Sequence, residues 1–190
     1  MGKSHSRLRI LLLGASGTGK TEFLNNLCHD GPGAYGGKTR GFVSGNYIHR
    51  RTPMTMTEIG GDIGPLAWSY LVKKDSYDCI YFFVNLEWSK LELLEQKNAL
   101  FLACAYHPRT PLCVIARWRM DSNTRQLEYG QVIELMQLED IGQSRSVWYI
   151  QMSHYGILAV QGVELLLDWT IRTCQVQPQN QLQSASPKLA

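Results

Sequence analysis

Residues 14–21 combine residue types and a spacing that suit chemistry on an anion. Gly14, Gly19, Lys20 and Thr21 fit the pattern G-x-x-x-x-G-K-[ST]. Glycines let the chain turn so that backbone N–H groups point inward at one anion, and a following helix adds partial positive charge. The lysine can reach the terminal phosphates of a nucleotide, and the threonine hydroxyl can bind Mg²⁺. The predicted phosphate-binding residues are Gly14, Ala15, Ser16, Gly17, Thr18, Gly19, Lys20 and Thr21.

This motif is meaningful only between a strand and a helix. Residues Leu8–Leu13 are apolar apart from Arg9, which predicts a buried strand leading into the loop. Residues 22–28 predict the helix that leaves it. A glycine-rich turn without a ligand is the alternative, and the flanking strand and helix patterns argue against it.

Strand and helix patterns alternate along the rest of the chain, which predicts the α/β class. We expect a mostly parallel six-stranded sheet with one antiparallel hairpin strand and helices on both faces. The predicted strands are Leu8–Leu13, Tyr47–His49, Met54–Ile59, Cys79–Val84, Leu112–Ala116 and Val147–Met152. The predicted helices are Lys20–Cys28, Trp88–Tyr106, Tyr129–Gln137 and Val160–Cys174. Glycine-rich loops are predicted at 30–44 and 60–65.

These patterns predict one domain at residues 8–174, preceded by a short segment at 1–7. Residues 175–190 are rich in Gln, Ser and Pro and lack an apolar face, so we expect a disordered tail. A formal charge of +3 is too small to indicate a nucleic-acid partner. The five cysteines are scattered in apolar segments, which is typical of a reduced intracellular protein rather than of a disulfide frame or zinc site. We expect a cytoplasmic monomer.

The sequence resembles small GTPases of the ADP-ribosylation-factor (Arf/Arl) family. Residues 38–42 are similar to the family's first switch element, P-T-x-G-F, and residues 58–61 to its second, W-D-x-G-G. Residues 64–70 are similar to the family's R-P-L-W-x-x-Y, and the spacing from Thr39 to Glu58 matches. The resemblance implies a P-loop NTPase fold of the small-GTPase G-domain type, with GTP or GDP as ligand and Mg²⁺ as cofactor.

The resemblance also implies roles for four residues around the terminal phosphate. Thr39 would bind Mg²⁺ and sense the γ-phosphate, and Gly61 would donate its backbone N–H to that phosphate. Glu58 stands where the family has an aspartate, and its longer arm would reach Mg²⁺ through a water because Mg²⁺ demands near-ideal geometry. Asp62 occupies the position of the catalytic glutamine. A carboxylate there cannot donate to the transition-state oxygens, so slow hydrolysis or none is expected.

The base-reading element N-K-x-D should follow the strand that ends at Ala116, but residues 117–121 have the sequence R-W-R-M-D. If N-K-x-D is aligned with residues 117–120 without a gap, no carboxylate meets the guanine ring. If the alignment allows one inserted residue, Asp121 takes that role. Trp118 or an arginine could stack on a purine, and packing of Trp118 against the last strand is an equal alternative. Ser153 matches the last base-contacting loop of the family. We therefore expect a relaxed preference for guanine.

Two further features concern partners. Residues 1–6 fit the myristoylation pattern M-G-x-x-x-[ST], which makes Gly2 a lipidation candidate, and a single acyl chain would give weak membrane contact. The resemblance implies effector and regulator proteins that bind the switch regions, with Phe42, Trp68 and Tyr70 as exposed aromatic candidates. It also implies a nucleotide-dependent switch in membrane or ciliary traffic. A pseudo-GTPase interaction module is the main alternative; a phosphotransferase is disfavoured by the double glycine.

Overall fold

The structure is a computed structural model that describes residues 7–28, 39–64, 77–118, 128–153 and 157–176. The strands are β1 (Leu8–Leu13), β2 (Phe42–His49), β3 (Thr52–Ile59), β4 (Cys79–Asn85), β5 (Leu112–Trp118) and β6 (Val147–Ser153). The helices are α1 (Lys20–Leu27), α2 (Lys90–Tyr106), α3 (Tyr129–Met136), α4 (Leu138–Gly142) and α5 (Ile157–Val176). A 3₁₀ turn at Gly61–Ile63 follows β3. Within the described ranges, no helix combines the length and apolarity needed to cross a bilayer.

The six strands form one sheet in the order β2-β3-β1-β4-β5-β6. Only the β2–β3 pair is antiparallel, and the other four pairs are parallel. The predicted mostly parallel sheet with one antiparallel hairpin strand is therefore confirmed. Parallel strands bring their carboxyl ends to one edge of the sheet, which is where ligands bind in open α/β folds.

Alternation along the strands builds a hydrophobic layer on each face of the sheet. From β1, Leu11 and Leu13 join the layer that α2, α3 and α4 cover, while Ile10 and Leu12 join the layer under α1 and α5. Strands β1, β4 and β5 are thus buried on both faces, as their almost unbroken apolar runs predict. Helices cover both faces of the sheet, as expected from the sequence.

The β2–β3 hairpin turns at Arg50 and Arg51, whose φ angles of 45° and 70° are left-handed. A two-residue hairpin turn of this kind requires positive φ at both central positions. Asp168 on α5 contacts the end of the hairpin, with 2.8 Å from Oδ1 to His49 Nε2 and 2.8 Å from Oδ2 to Arg50 Nη2. The hairpin is thereby attached to the helix that packs behind it.

Five strand boundaries differ from those predicted. Strand β3 begins at Thr52 rather than Met54, and β4 and β6 each end one residue later than predicted. Strand β2 begins at Phe42 rather than Tyr47, so the last three residues of the predicted loop at 30–44 are strand. The polar, exposed positions Ser44 and Asn46 hid it, because an edge strand with a solvated face lacks a continuous apolar run. Strand β5 ends at Trp118 instead of Ala116, since its last two residues still pair with β6.

Several differences concern the helices, and among them α1 and α3 each end one residue earlier than predicted. The short helix α4 was not predicted; it follows α3 directly after Gln137, whose φ of 52° changes the chain direction. Helix α2 begins at Lys90, two residues after the predicted Trp88, because Ser89 and Glu92 form a capping box there. Helix α5 begins three residues before and ends two residues after the predicted Val160–Cys174. Gln175 and Val176, predicted as the start of the disordered tail at 175–190, are therefore helical. The rest of that tail, 177–190, and residues 1–6 of the predicted segment 1–7 lie outside the described residues.

Replacing Gly45 by alanine should destabilise the fold, because β2 packs directly on the end of α1. A Cβ at Gly45 would lie 2.7 Å from Cys28 Cβ and 2.8 Å from its Sγ. We expect the free energy of unfolding, measured in urea, to fall by about 1–3 kcal/mol. The control is Gly130→Ala in α3, where a Cβ meets no atom within 4 Å and should stabilise the helix by up to about 1 kcal/mol. Equal stability of the two variants would contradict this account of the contact.

Candidate functional site

Glycines with left-handed backbone angles shape the loop between β1 and α1. Gly14, Gly17 and Gly19 have φ angles of 135°, 80° and 84°. A Cβ at Gly14 would lie 2.5 Å from the carbonyl oxygen of Phe83 on β4, so only glycine fits there. The loop therefore turns tightly at the carboxyl edge of the sheet and delivers Lys20 to the first turn of α1.

Lys20 is a buried cation at the centre of this loop. Its side chain is 3% exposed, and Nζ donates to the carbonyl oxygens of Gly14 and Ala15 at 2.8 Å each. Burial lowers the pKa of Lys20 to about 8, and the negative charges of Glu58 and Asp62 offset part of that shift. A desolvated ammonium held in this way favours the approach of an anion.

Three oxygen-bearing side chains meet beside Lys20. Thr21 Oγ1 lies 2.8 Å from Thr39 Oγ1 and donates to Glu58 Oε1 at 2.9 Å. The second carboxylate oxygen of Glu58 is buried and has no hydrogen-bond partner among the described residues. Burial raises the pKa of Glu58, while Lys20 and the two threonine hydroxyls offset part of that shift. The sequence-predicted Thr21, Thr39 and Glu58 are thus brought together.

This oxygen cluster fits a hard divalent cation. Two ligands on adjacent corners of a Mg²⁺ octahedron, with bonds of about 2.0–2.1 Å, lie about 2.9 Å apart. The distance of 2.8 Å between the hydroxyl oxygens of Thr21 and Thr39 matches this spacing. The unpartnered oxygen of Glu58 supplies negative charge next to the pair. Hydroxyl and carboxylate oxygens are ligands that Mg²⁺ accepts, so the donor set suits it.

The backbone of the turn after β3 lies directly against the loop between β1 and α1. A Cβ at Gly61 would lie 2.1 Å from the backbone nitrogen of Ser16, and one at Gly60 would lie 2.2 Å from the carbonyl oxygen of Thr39. Gly60 N also donates to Gly41 O at 2.9 Å. A side chain at Gly61 would push the turn away from the loop, and one at Gly60 would push it away from Thr39. Asp62 follows at an exposed position in the 3₁₀ turn.

Two buried polar side chains that were not predicted for the loop contact it from neighbouring elements. Gln96 on α2 accepts a hydrogen bond from the backbone N–H of Ala15 at 3.2 Å. Arg117 on β5 donates to the carbonyl oxygen of Gly19 at 2.5 Å and to Glu22 Oε2 at 3.1 Å. Both residues brace the loop from the side away from the oxygen cluster.

A sequence signal for these two contacts exists. Gln96 lies three residues after the buried Leu93 and four before the buried Leu100, so it is a polar residue in the apolar stripe of a helix. Arg117 lies two residues after the buried Ile115 and therefore faces the same side of the sheet. A polar residue at a buried periodic position needs a partner, but the pattern does not say which one.

The predicted base-reading residues are less completely described. Trp118 ends β5, and its half-buried indole packs against the hydrophobic layer under α2 and α3. Ser153 ends β6 at the same edge of the sheet, but its side chain lies outside the described residues, as does all of Asp121. Their roles stay predictions. Gly2, Trp68 and Tyr70 also lie outside the described residues, whereas Phe42 is 51% exposed.

Comparison with known proteins gives a structural match only. No protein-family model matches the chain, and no curated protein sequence matches it. The structure is similar to that of the Arl6 (BBS3) small GTPase from Trypanosoma brucei with bound nucleotide analogue GppNp. The TM-score is 0.72 at 18% identity, and the match covers 88% of this chain and 99% of the trypanosomal one. The fold is therefore that of an Arf-like small GTPase.

The burial of Lys20 should make stability depend on pH. Its folded pKa of about 8 lies below the ordinary lysine pKa of 10.5, so the unfolded chain binds more protons between these pH values. Stability of the ligand-free protein should therefore gain about 1 kcal/mol per pH unit in this window from Lys20. The raised pKa values of Cys79 and Tyr81 act in the opposite direction.

The measurement is the difference between the unfolding free energies of wild type and Lys20→Met from pH 7.5 to 10. Subtraction removes the background from the buried thiol and phenol. Lys90→Met, which removes an exposed lysine, is the matched control. If the difference for Lys20→Met rises with pH no more steeply than that for Lys90→Met, burial of the ammonium has no such effect.

Proposed function

We propose that this chain is an Arf-like small GTP-binding protein that switches with its bound nucleotide. The observation that carries the proposal is the meeting of Lys20, Thr21, Thr39 and Glu58 at one edge of the sheet, with the backbone of Gly61 beside them. These are the groups that a triphosphate with a divalent cation needs. Within the family, residues 58–70 resemble the divergent branch of ADP-ribosylation-factor-like protein sixteen.

Each residue has a part in holding the triphosphate. The backbone N–H groups of the loop and the start of α1 bind the phosphates, and Lys20 neutralises the terminal ones. Thr21 and Thr39 would hold Mg²⁺, with Glu58 beside them, and the cation would neutralise charge between the last two phosphates. The structural neighbour was solved with GppNp, a nucleotide analogue, which supports a nucleotide ligand for the same fold.

The geometry also supports a switch. Thr39 and Gly61 lie on two different segments and both reach the loop, so a terminal phosphate that contacts both would hold both in place. Loss of that phosphate would release them. The exposed aromatic side chain of Phe42 follows Thr39 closely in sequence, so an effector that binds there would sense the nucleotide state.

The cellular role rests on the resemblance alone. It implies effectors and regulators in membrane or ciliary traffic, with the protein in the cytoplasm or at the periphery of membranes. Gly2 would add weak membrane contact if it is myristoylated. The intact mass of protein isolated from its native cell tests this, because an unmodified Gly2 excludes the anchor.

A pseudo-GTPase module is the second candidate. Asp62 replaces the water-orienting glutamine, and residues 117–120 lack the carboxylate that reads guanine. A chain with these changes can keep the fold and bind nucleotide weakly or not at all. Such a protein would act through its surface, without a cycle of binding and hydrolysis.

Nucleotide affinity separates the two candidates. We expect GTP and GDP to bind with Mg²⁺ present, and GTP to bind more weakly once the metal is chelated. Lys20→Ala should weaken binding by roughly a hundredfold or more, because a buried charge-assisted contact is lost, whereas Lys90→Ala should leave it unchanged. ATP should compete better than in a strict guanine binder. Calorimetric titration gives all these constants, and a folded wild type that binds none of the nucleotides would favour the interaction module.

Hydrolysis should be limited by Asp62. A carboxylate places negative charge near the γ-phosphate and cannot donate to it, so single-turnover cleavage of GTP by wild type should be slow. Asp62→Gln supplies the missing donor and should raise the rate by roughly tenfold or more. Asp62→Ala, which removes the charge without adding a donor, is the control and should stay slow. Fast cleavage by wild type that Asp62→Ala abolishes would assign the carboxylate a catalytic role instead.

A further inference from the structure

Arg117 is a buried charge that the proposed chemistry does not yet use. It lies one residue before the end of β5 and faces the side of the sheet that α1 covers, as Ile115 does two residues earlier. Its side chain is only 6% exposed. Burial lowers the pKa of Arg117 and Glu22 partly offsets this, but a guanidinium stays charged near neutral pH. A buried charge in such a position needs specific partners.

Both partners of the guanidinium among the described residues belong to the start of α1. Nη1 lies 2.5 Å from the carbonyl oxygen of Gly19, and Nη2 lies 3.1 Å from Glu22 Oε2. The backbone of Arg117 is also fixed, because its carbonyl oxygen accepts from Leu86 N at 2.9 Å. The guanidinium therefore joins the carboxyl end of β5 to the residue from which the helix begins.

Gly19 is a sensitive point for such a contact. It is the N-cap of α1 in the left-handed conformation, with φ of 84°, and its carbonyl oxygen also accepts from Phe23 N at 3.0 Å. That carbonyl and the N–H of Lys20 belong to one planar peptide unit and point in opposite directions. Holding the oxygen toward Arg117 and into the helix thus holds the N–H of Lys20 toward the loop interior.

We propose that Arg117 is a positioning residue for the phosphate loop at residues 14–21. It fixes the orientation of the peptide between Gly19 and Lys20, and it thereby tunes affinity for a polyphosphate rather than for a purine base. The proposal rests on the proposed nucleotide-binding function and deepens it. It also reassigns a residue of the predicted base-reading segment. The two terminal nitrogens of the guanidinium donate to Gly19 O, at the end of the loop, and to Glu22 in the first turn of α1, so its described contacts act on the phosphate-binding element.

Arg145 offers a matched control within the same chain. It is a half-buried arginine that also donates to backbone carbonyl oxygens, at 2.8 Å to Cys104 and 3.3 Å to Thr110. Those contacts lie at the opposite edge of the sheet, before the amino ends of β5 and β6. Loss of Arg145 should therefore lower stability as loss of Arg117 does, but it removes no contact with the phosphate loop.

The experiment measures dissociation constants of Arg117→Met, Arg117→Lys and Arg145→Met for three ligands in Mg²⁺: GTP, ATP and inorganic tripolyphosphate. Arg117→Met should weaken all three by the same factor, roughly ten- to a hundredfold, because the lost contact acts on the phosphates. Arg117→Lys can still donate to the carbonyl of Gly19 and should recover part of the affinity. Arg145→Met should bind as wild type does, although its unfolding free energy falls.

Three outcomes would overturn the inference. One is a loss by Arg117→Met that is confined to GTP, which would make the arginine a base reader. Another is unchanged affinity in Arg117→Met, which would leave it a purely structural residue. A third is a loss in Arg145→Met as large as that in Arg117→Met, because general destabilisation would then explain both.

Failure of the proposed function gives a different pattern, in which wild type binds none of the three ligands. Hydrogen exchange of the ligand-free proteins then decides the matter. Faster exchange of peptides that cover residues 14–24 in Arg117→Met, but not in Arg145→Met, supports the positioning role. Equal exchange in the two variants overturns it. If Arg117→Met does not fold, Arg117→Lys is compared with Arg145→Lys in the same way.

Discussion

Strand β1 lies between β3 and β4, and its burial on both faces fixes where every group of the site can lie. Its parallel pairing sets Leu12 opposite Glu58 and Leu13 opposite Phe82, so β1 and β3 end together while β4 continues for three more residues. The phosphate loop then leaves β1 beside the carboxylate of β3 and above the backbone of β4. A shift of β1 by one residue would turn its side chains to the wrong faces, so the hydrophobic layers hold the register. The packing of the hydrophobic layers therefore also fixes the positions of the groups in the site.

Charges at the site alternate in sign around the start of α1. The ammonium of Lys20 lies among backbone carbonyls near Glu58, and the guanidinium of Arg117 lies between the carbonyl of Gly19 and Glu22. Each buried cation has a carboxylate neighbour, which offsets part of its desolvation. The arrangement leaves the loop interior electropositive while the ligand-free protein avoids an isolated buried charge.

The sequence predicted those parts of the structure that depend on residues close together in the chain. The loop at 14–21 and the apolar run of β1 follow from spacing and residue type, and the sheet class follows from alternating strands and helices. The pairing of Thr21 with Thr39 and Glu58 was expected only through the resemblance to a family. The contacts of Gln96 and Arg117 were missed because their partners are distant in sequence. A polar residue at a buried position indicates that it has a hydrogen-bond partner, but only the tertiary structure shows which residue that partner is.

The separation of these contacts along the chain has a consequence for how the site forms during synthesis. The loop emerges first, yet its contacts with Glu58, Gln96 and Arg117 span 37, 81 and 98 residues. Among the strand pairs, β2–β3 has the shortest connection, so this hairpin can pair early. Closing the longer loops costs more entropy and comes later. A growing chain thus carries the loop for a further 98 residues before Arg117 on β5 can brace it. If the loop binds nucleotide as proposed, the contact that forms last, rather than the motif that is made first, sets the moment at which the nascent protein can do so.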